Sequence, residues 1–219
     1  MKSRFKLTYS FWLKIIVVLL ILYFGEVSNI ACLFQSEYVP TEKSKLHGSG
    51  QIYFVPLQTF PTDVLKRFVS FYRNKYGMSI SILPAVPLPS GAFNLERRQF
   101  VAEELIQFLQ QTARDLKLDA DSTIIAVTDR DIYIRKCNWR YAFSYRSGQM
   151  AVISSARMDN WCMGVWPIDA GWQETRLRKM VTKDIGVLYY HLPLSSHCRS
   201  PVFGKIGGPQ ELDFMGEDL

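Results

Sequence analysis

The chain lacks the short motifs that mark several large enzyme classes. It contains no Gly-x-Ser-x-Gly, no P-loop and no glycine-rich dinucleotide fingerprint. Their absence argues against a serine hydrolase of that type, a P-loop enzyme and a dinucleotide-dependent enzyme. The four cysteines form no Cys-x-x-Cys pair, so no paired-cysteine metal or redox motif is present. A disulfide between Cys137 and Cys162 is conceivable, but free half-buried thiols fit the sequence equally well.

Excess positive charge is scarce outside one end of the chain. The 219 residues include 26 Lys and Arg against 20 Asp and Glu, a net charge of +6. Four of these basic residues, Lys2, Arg4, Lys6 and Lys14, precede the first acid, Glu26. Subtracting those four from 26 leaves 22 basic residues against 20 acidic ones, a net charge of +2. The sequence therefore predicts no nucleic-acid partner.

The basic N-terminus is followed by an apolar run at residues 11–24, which only Lys14 interrupts. The part after Lys14 is shorter than the roughly 20 apolar residues of a full membrane span. Residues 1–34 are therefore predicted to be an uncleaved signal anchor, a cleaved signal peptide or, as a third option, a lipoprotein signal. By the positive-inside rule we expect a membrane-anchored or secreted domain on the non-cytoplasmic side, with this segment contacting the membrane.

The remainder of the chain predicts one domain after a short connection. Residues 35–50 are polar and end in Gly-Ser-Gly, which is typical of a linker. Residues 51–219 alternate apolar strand-like runs with helical periodicity. Strands are predicted at 51–57, 78–83, 122–127, 131–134, 141–145 and 149–154, and helices at 61–77, 94–116 and 171–190. This order predicts a single α/β domain with a mixed sheet.

Three blocks of sequence carry a resemblance to a known family. The first is IYFVPLQTFPTDVLKRFVSFY from Ile52, the second is ILPAVPLPSGAFNLERRQFVAEELI from Ile82, and the third joins AVTDRDIYI to AVISSARMD. In this order and spacing, over about residues 51–202, the chain resembles the archaemetzincins, which are metzincin-like zinc peptidases. The resemblance implies a single metzincin-like α/β domain with an active-site-type helix.

That family is expected to carry H-E-x-x-H-x-x-G-x-x-H-C, in which the histidines bind zinc and the Glu is the general base. The lead-in RLRKMV matches the family, and in this frame the ligand positions hold Lys183, Val187 and Pro193. The base position holds Asp184. Val187 has no lone pair, and Lys183 places a positive charge where the cation should be. The frame therefore implies no catalytic residue and no cofactor.

A second frame stays open further along the chain. His191 and His197 are six residues apart, as the second and third ligands should be, and Cys198 follows His197 as in the family pattern. This frame places Val187 at the first ligand and Leu188 at the base. His191, His197 and Cys198 are the metal candidates that it supplies.

Asp184 lies on the apolar stripe of the predicted last helix, which consists of Leu177, Met180, Val181, Ile185 and Leu188. A buried carboxylate needs a partner, so we expect an ion pair or capping bond that closes the cleft rather than a proton-transfer role. Trp161, Trp166 and Trp172 lie around the start of this helix. They predict packing over the helix or, alternatively, a rim that binds a peptide or another protein.

The sequence thus predicts a membrane-tethered archaemetzincin-like domain with a degenerate zinc site that acts as a non-catalytic binding or interaction module. The possible partner is a peptide or a protein. The alternative is a divergent zinc-dependent metallopeptidase with non-standard ligands, in which Asp213 or Asp218 would join the histidines and Cys198.

Overall fold

The structure is a computed structural model that describes residues 35–159, 161–162, 166–167 and 170–219. The predicted N-terminal hydrophobic segment, residues 1–34, lies outside the described residues. So do the side chains of Trp161 and Trp166, and the predicted aromatic rim therefore stays a prediction.

Ten strands and four α-helices follow each other along the described chain. The strands are β1 (Ile52–Pro56), β2 (Ile80–Ile82), β3 (Phe93–Asn94), β4 (Gln99–Val101), β5 (Thr123–Thr128), β6 (Ile132–Tyr133), β7 (Ser144–Ser147), β8 (Met150–Ser154), β9 (Trp161–Cys162) and β10 (Trp166–Pro167). The helices are α1 (Thr62–Tyr76), α2 (Ala102–Asp115), α3 (Ala170–Leu188) and α4 (Pro209–Phe214). Short 3₁₀ turns occur at Lys43–Lys45 and Ser90–Ala92.

The main sheet has five strands in the order β2-β1-β5-β8-β7. β1 pairs in parallel with β2 and β5, and β5 pairs in parallel with β8. β7 runs antiparallel to β8 because the two strands are joined by a tight turn at Gly148 with φ 58°. The predicted mixed sheet is therefore confirmed, and β7 is its last strand on one side.

Helices cover both faces of this sheet. α1 and α3 pack on the face that carries Phe54, Ile125 and Ile153, and α2 packs on the face that carries Val55 and Ala126. Successive side chains of a strand point to opposite faces, so a strand buried on both sides is apolar throughout. All six residues of β5 are buried for this reason. The result is a three-layer α/β/α domain.

The first helix begins and ends where the sequence predicted. Asp63 lies in its first turn, where a carboxylate interacts favourably with the positive end of the helix dipole. Leu65, Phe68 and Tyr72 form its buried stripe. Gly77 ends it with a left-handed φ of 69° and donates its N–H to the carbonyl of Arg73 at 2.9 Å, as a C-terminal glycine commonly does.

The helix predicted at residues 94–116 begins eight residues later, at Ala102. The chain before it forms β3 and β4, which pair antiparallel. The turn between them is made by the Asn94 side chain, which accepts a hydrogen bond from the Arg97 N–H at 3.0 Å. Arg98 has a left-handed φ of 56°. A side-chain turn of this kind competes with the helix that the charged residues would otherwise favour.

A C-terminal segment, residues 209–219, packs along α3 and was missed in the sequence. The two Arg176 nitrogens Nε and Nη2 donate to the Asp213 carboxylate at 2.7 and 2.5 Å. Leu219 is buried beside Gly186, where a Cβ would lie 2.7 Å from the Leu219 side chain. Gly186 therefore lets the end of the chain approach the helix closely.

The polar segment at residues 35–50 contacts the domain. The Ser36 carbonyl lies 2.7 Å from His197 Nε2, and Gln35 Oε1 accepts a hydrogen bond from the Cys198 N–H at 2.9 Å. The beginning of this segment therefore has a defined place against the loop after α3. The division of the chain into residues 1–34, 35–50 and 51–219 stays a prediction.

Two expectations about compartment are corrected. Within the described ranges, no helix combines the length and the apolar character needed to cross a bilayer. By this finding the prediction of a membrane-anchored or secreted domain on the non-cytoplasmic side is wrong.

The disulfide considered between Cys137 and Cys162 is wrong as well, because Cys137 is a free thiol. Cys198 is disulfide-bonded.

Candidate functional site

A cleft of about 620 Å³ lies between the edge strand β7 and helix α3. Residues 139–143, which lead into β7, form one wall. Residues 204–207 and Glu211 of α4 form another. The floor includes Met180 and Lys183 of α3, which the sequence placed on the family's active-site helix.

Asp184 is fully buried next to this cleft. Its Oδ1 accepts a hydrogen bond from Arg146 Nη1 at 2.8 Å, and its Oδ2 accepts one from the Ser144 hydroxyl at 2.5 Å. Burial raises the pKa of the carboxyl, and the charges of Arg146 and Lys183 together with the Ser144 hydrogen bond counteract part of that rise. Both oxygens are engaged, so Asp184 ties α3 to β7.

The strand alternation explains why β7 supplies both partners. Ser144 and Arg146 are two residues apart, so their side chains share one face of the sheet. They pair with Ile153 and Ala151 of β8, which belong to the core layer under α3. The same face therefore presents a hydroxyl and a guanidinium to α3.

Lys183 lines the cleft although only 5% of the residue is exposed. Among the described residues it has no hydrogen bond and no salt bridge. Burial lowers the pKa of its ammonium to about 8, with Asp184 opposing and Arg146 adding to the shift. A buried cation without a direct partner is unusual, because desolvation of the charge is not compensated.

The other positions of the first frame carry no ligand atom. Val187 is half-buried at the last turn of α3. Pro193 is exposed beyond the helix, after His191 turns the chain with a left-handed φ of 54°. His191 itself is exposed at this turn.

The second frame is not assembled in the described residues. His197 faces the polar segment, where its ring also lies 5.6 Å from that of Tyr38. Cys198 is in a disulfide and offers no thiolate. Asp213 and Asp218, the acids predicted to join them, are paired with Arg176 and Lys75, each at 2.5 Å.

Three residues of the site were missed in the sequence. Ser144 and Arg146 could have been found from their alternation in a predicted edge strand, but nothing in the sequence paired them with Asp184. Trp139 lines the cleft with 60% of its surface exposed, and no local pattern marks it. Trp172 is also half-exposed, but it does not line the cleft.

The cleft carries more positive than negative charge. Among the described residues, its lining contains one acid, Glu211, and four basic residues, Arg140, Arg146, Lys183 and Lys205. The Glu211 carboxylate accepts a hydrogen bond from the Gly208 N–H at 2.9 Å at the start of α4. The arrangement suits an anion with an apolar part, because aromatic side chains form much of the remaining wall.

A mixed sheet between helical layers, with a cleft between its antiparallel edge strand and α3, defines the class as a metzincin-like α/β domain. Curated proteins of similar sequence include the archaemetzincin of Natronomonas pharaonis, 30% identical over 152 residues that span 66% of this chain and 79% of the relative. The archaemetzincin of Pyrococcus abyssi is 27% identical over 157 residues, 69% of this chain and 79% of that protein. No protein-family model matches the chain.

Solved structures share the fold. The archaemetzincin of Archaeoglobus fulgidus, solved with malonate, has a TM-score of 0.59 and 20% identity, covering 77% of this chain and 94% of that one. A zinc-dependent peptidase from Methanocorpusculum labreanum has a TM-score of 0.61 and 17% identity, covering 76% and 94%. The chain belongs to the archaemetzincin family.

These relatives correct the expectation about cofactors. One of the solved relatives is named as a zinc-dependent peptidase, and the curated relatives carry the name of a zinc peptidase family. The prediction that no cofactor is involved is therefore wrong: the family implies zinc.

The residues at the family's helix positions nevertheless do not fit a zinc ion. Zinc needs three or four nitrogen, sulfur or oxygen donors at about 2.0–2.3 Å. Val187 has no such donor, Lys183 places an ammonium there, and both Asp184 oxygens are engaged. Over the described ranges no group of three or more His, Cys, Asp and Glu residues could hold a metal.

Proposed function

We propose that this archaemetzincin-family domain binds peptides in the cleft between β7 and α3 without using Asp184 as a catalytic base. The observation that carries the proposal is the pairing of Asp184 with Arg146 and Ser144. A general base needs an oxygen within reach of the proton that it takes. Here both oxygens already accept hydrogen bonds from the protein, which supports a structural role.

The shape of the cleft supports a peptide as the ligand. β7 is the outermost strand of the sheet, and an extended peptide can add to such an edge through main-chain hydrogen bonds. The cleft beside it has room for side chains, with about 620 Å³ of space. The exposed Trp139 on its wall is the residue type that most often anchors a protein or peptide partner.

A second candidate is a divergent zinc-dependent metallopeptidase with non-standard ligands. The names of the relatives favour it, because they are archaemetzincins and a zinc-dependent peptidase. His191 and His197 are the histidines nearest to the family helix that could take part.

The two candidates differ in what happens to a bound peptide. Full-length protein is incubated with a pool of random octapeptides, with zinc added or with a chelator, and the peptides are followed by mass spectrometry. We expect peptides to be retained and recovered intact, with retention unaffected by zinc. Cleavage that requires zinc, disappears in H191A/H197A and persists in the control H47A, which removes an exposed histidine, would establish the peptidase instead.

A gain-of-function variant tests the placement of α3. K183H/D184E/V187H restores two histidines four residues apart on one face and a neighbouring Glu. We expect a higher zinc affinity than in the single variant V187H, measured by competition with a fluorescent chelator. An unchanged affinity would mean that this face of α3 does not correspond to the zinc helix of the family.

A further inference from the structure

We propose that Lys183 binds the C-terminal carboxylate of a peptide whose last residue is apolar. The inference rests on the proposed function, because it names the ligand group that enters the same cleft. It explains why a lysine, rather than an apolar residue, occupies the floor of the cleft.

Lys183 is a buried cation on the floor of the cleft. Only 5% of the residue is exposed, and it lines the cleft. Within the part of the chain that the structure describes, it has no hydrogen bond and no salt bridge. The nearest acid, Asp184, directs its oxygens at Arg146 and Ser144 instead. A ligand carboxylate in the cleft would supply the counter-charge and the acceptors that this ammonium lacks.

The charges that line the cleft favour a ligand with a single negative charge. Arg146 is already paired with Asp184 at 2.8 Å, so Lys183 is the buried positive charge that remains without a partner in the described ranges. Arg140 and Lys205 are exposed at the rim. One carboxylate neutralises one buried ammonium, whereas a phosphate dianion would bring a second charge that needs several further donors. The site therefore fits a monoanion better than a phosphate.

The cleft also has an apolar lining that fits an apolar group next to the ligand carboxylate. Phe143 and Met180 are buried at the wall and floor of the cleft, and Ile206 and Tyr141 are half-buried around them. An apolar side chain placed against these residues is removed from water, which contributes about 25 cal/mol per Å² buried. A peptide that ends in a large apolar residue presents this side chain and a carboxylate on the same carbon.

The experiment compares matched peptides on the full-length protein. Acetyl-Ala-Ala-Ala-Phe with a free carboxylate and the same peptide with a C-terminal amide are titrated by calorimetry at pH 7. We expect the free acid to bind at least about tenfold more tightly, which is typical of a hydrogen-bonded charge pair. In K183M the amide should bind as before, and the preference for the acid should fall below about twofold.

Two further variants keep the test falsifiable. K205M removes an exposed lysine from the rim of the same cleft and should leave most of the preference intact. K183R keeps the positive charge and should retain a preference for the acid. The melting curve of each variant is recorded as well, so that loss of the charge can be told from loss of the fold.

The outcomes separate this inference from the proposed function. Equal binding of acid and amide by the wild type, or an acid preference that survives K183M, would overturn the carboxylate site and leave peptide binding standing. Failure of both peptides to bind, with zinc-dependent cleavage of either one, would overturn the proposed function as well.

Discussion

The buried basic residues on the two flanks of helix α3 differ in whether they have partners within the described chain. On the flank covered by the C-terminal segment, Arg176 binds Asp213 through two nitrogens and also donates to the Met158 carbonyl at 2.8 Å. Lys179 donates to the carbonyls of Leu212 and Asp213 at 2.9 and 3.0 Å. On the flank that faces the cleft, Lys183 is equally buried and has no such contacts in the described ranges.

The difference separates architecture from function. Buried cations that have partners within the chain hold two parts of the fold together. Substitution of these residues or of their partners should therefore mainly lower stability. A buried cation without a partner lowers the stability of the free protein, and such a cost is typical of a binding site. If the two flanks differ in this way, substitutions on them should have different effects on stability.

The largest loss of stability is expected on the flank where Arg176 and Lys179 have partners. D213A leaves the Arg176 guanidinium buried without its carboxylate, which typically costs about 3–5 kcal/mol of unfolding free energy. The measurement is urea denaturation of the wild type and the variant. D63N, which breaks the exposed pair with Lys66, is the control and should cost far less, because water screens that pair. A loss in D213A as small as in the control would show that the C-terminal segment does not secure α3.

The next largest loss of stability is expected for the buried pair of Asp184 and Arg146 beside the cleft. D184N removes the carboxylate charge that Arg146 faces, and we expect a loss of about 3 kcal/mol in unfolding free energy. The loss should be smaller than in D213A, because the Arg146 side chain is 24% exposed and water can reach it, whereas only 2% of the Arg176 side chain is exposed.

A double-mutant cycle isolates that pair. D184N, R146M and the double variant are compared by the same denaturation experiment, and the coupling energy should exceed about 1 kcal/mol. Additive effects would mean that Asp184 acts in some way other than through Arg146. A variant that stays as stable as the wild type and loses only a peptidase activity would contradict the structural role.

Lys183 should behave in the opposite sense to Arg176. Its pKa is lowered from an ordinary value of 10.5 to about 8, so between these values the unfolded chain binds more protons than the folded one. The charge of Lys183 therefore lowers stability below about pH 8, and this loss disappears as the pH rises through the window. K183M, which lacks this titration, should be more stable than the wild type at pH 7 by at most about 3 kcal/mol, and the difference should shrink towards pH 10.

The comparison with K183M is needed because other groups adjoin Lys183. These are Asp184 on α3, Arg146 on β7, Arg140 and Tyr141 before β7, and Lys205 and Glu211 at the far wall. All of them are retained in the variant, so the difference between the two proteins reports mainly on the lysine. A K183M protein that is less stable than the wild type at pH 7 would show that Lys183 is satisfied like Arg176.

The smallest effect concerns the contact between the C-terminus and α3. A methyl group at Gly186 would lie 2.7 Å from both Leu219 and Val202. G186A gains helix propensity of about 1 kcal/mol and loses more through overpacking, so we expect a net loss near 1 kcal/mol. G91A, at a glycine with open space around it, should change stability by less than about 0.5 kcal/mol. A G186A protein more stable than the wild type would mean that the C-terminal residue is easily displaced.

The sequence by itself determined the layers of this protein. Apolar runs and helical stripes predicted β1, α1, β5, β8 and α3 because each of these elements buries a continuous or periodic apolar surface. It also determined what α3 lacks, since the missing histidines are visible in the residue types alone. The start of α2 was predicted wrongly, because the Asn94 side-chain turn is a local hydrogen bond that periodicity does not reveal.

Only the tertiary structure decided what the residues of α3 do. Arg176, Lys179 and Lys183 are similar basic residues on one helix, and nothing in their spacing tells which of them finds a partner. The partners of the first two come from a segment more than thirty residues further along the chain. Asp184 meets Arg146 and Ser144 from an edge strand about forty residues earlier. Contacts at such separations depend on how the layers pack, because burial and distance together set the free energy of a charge.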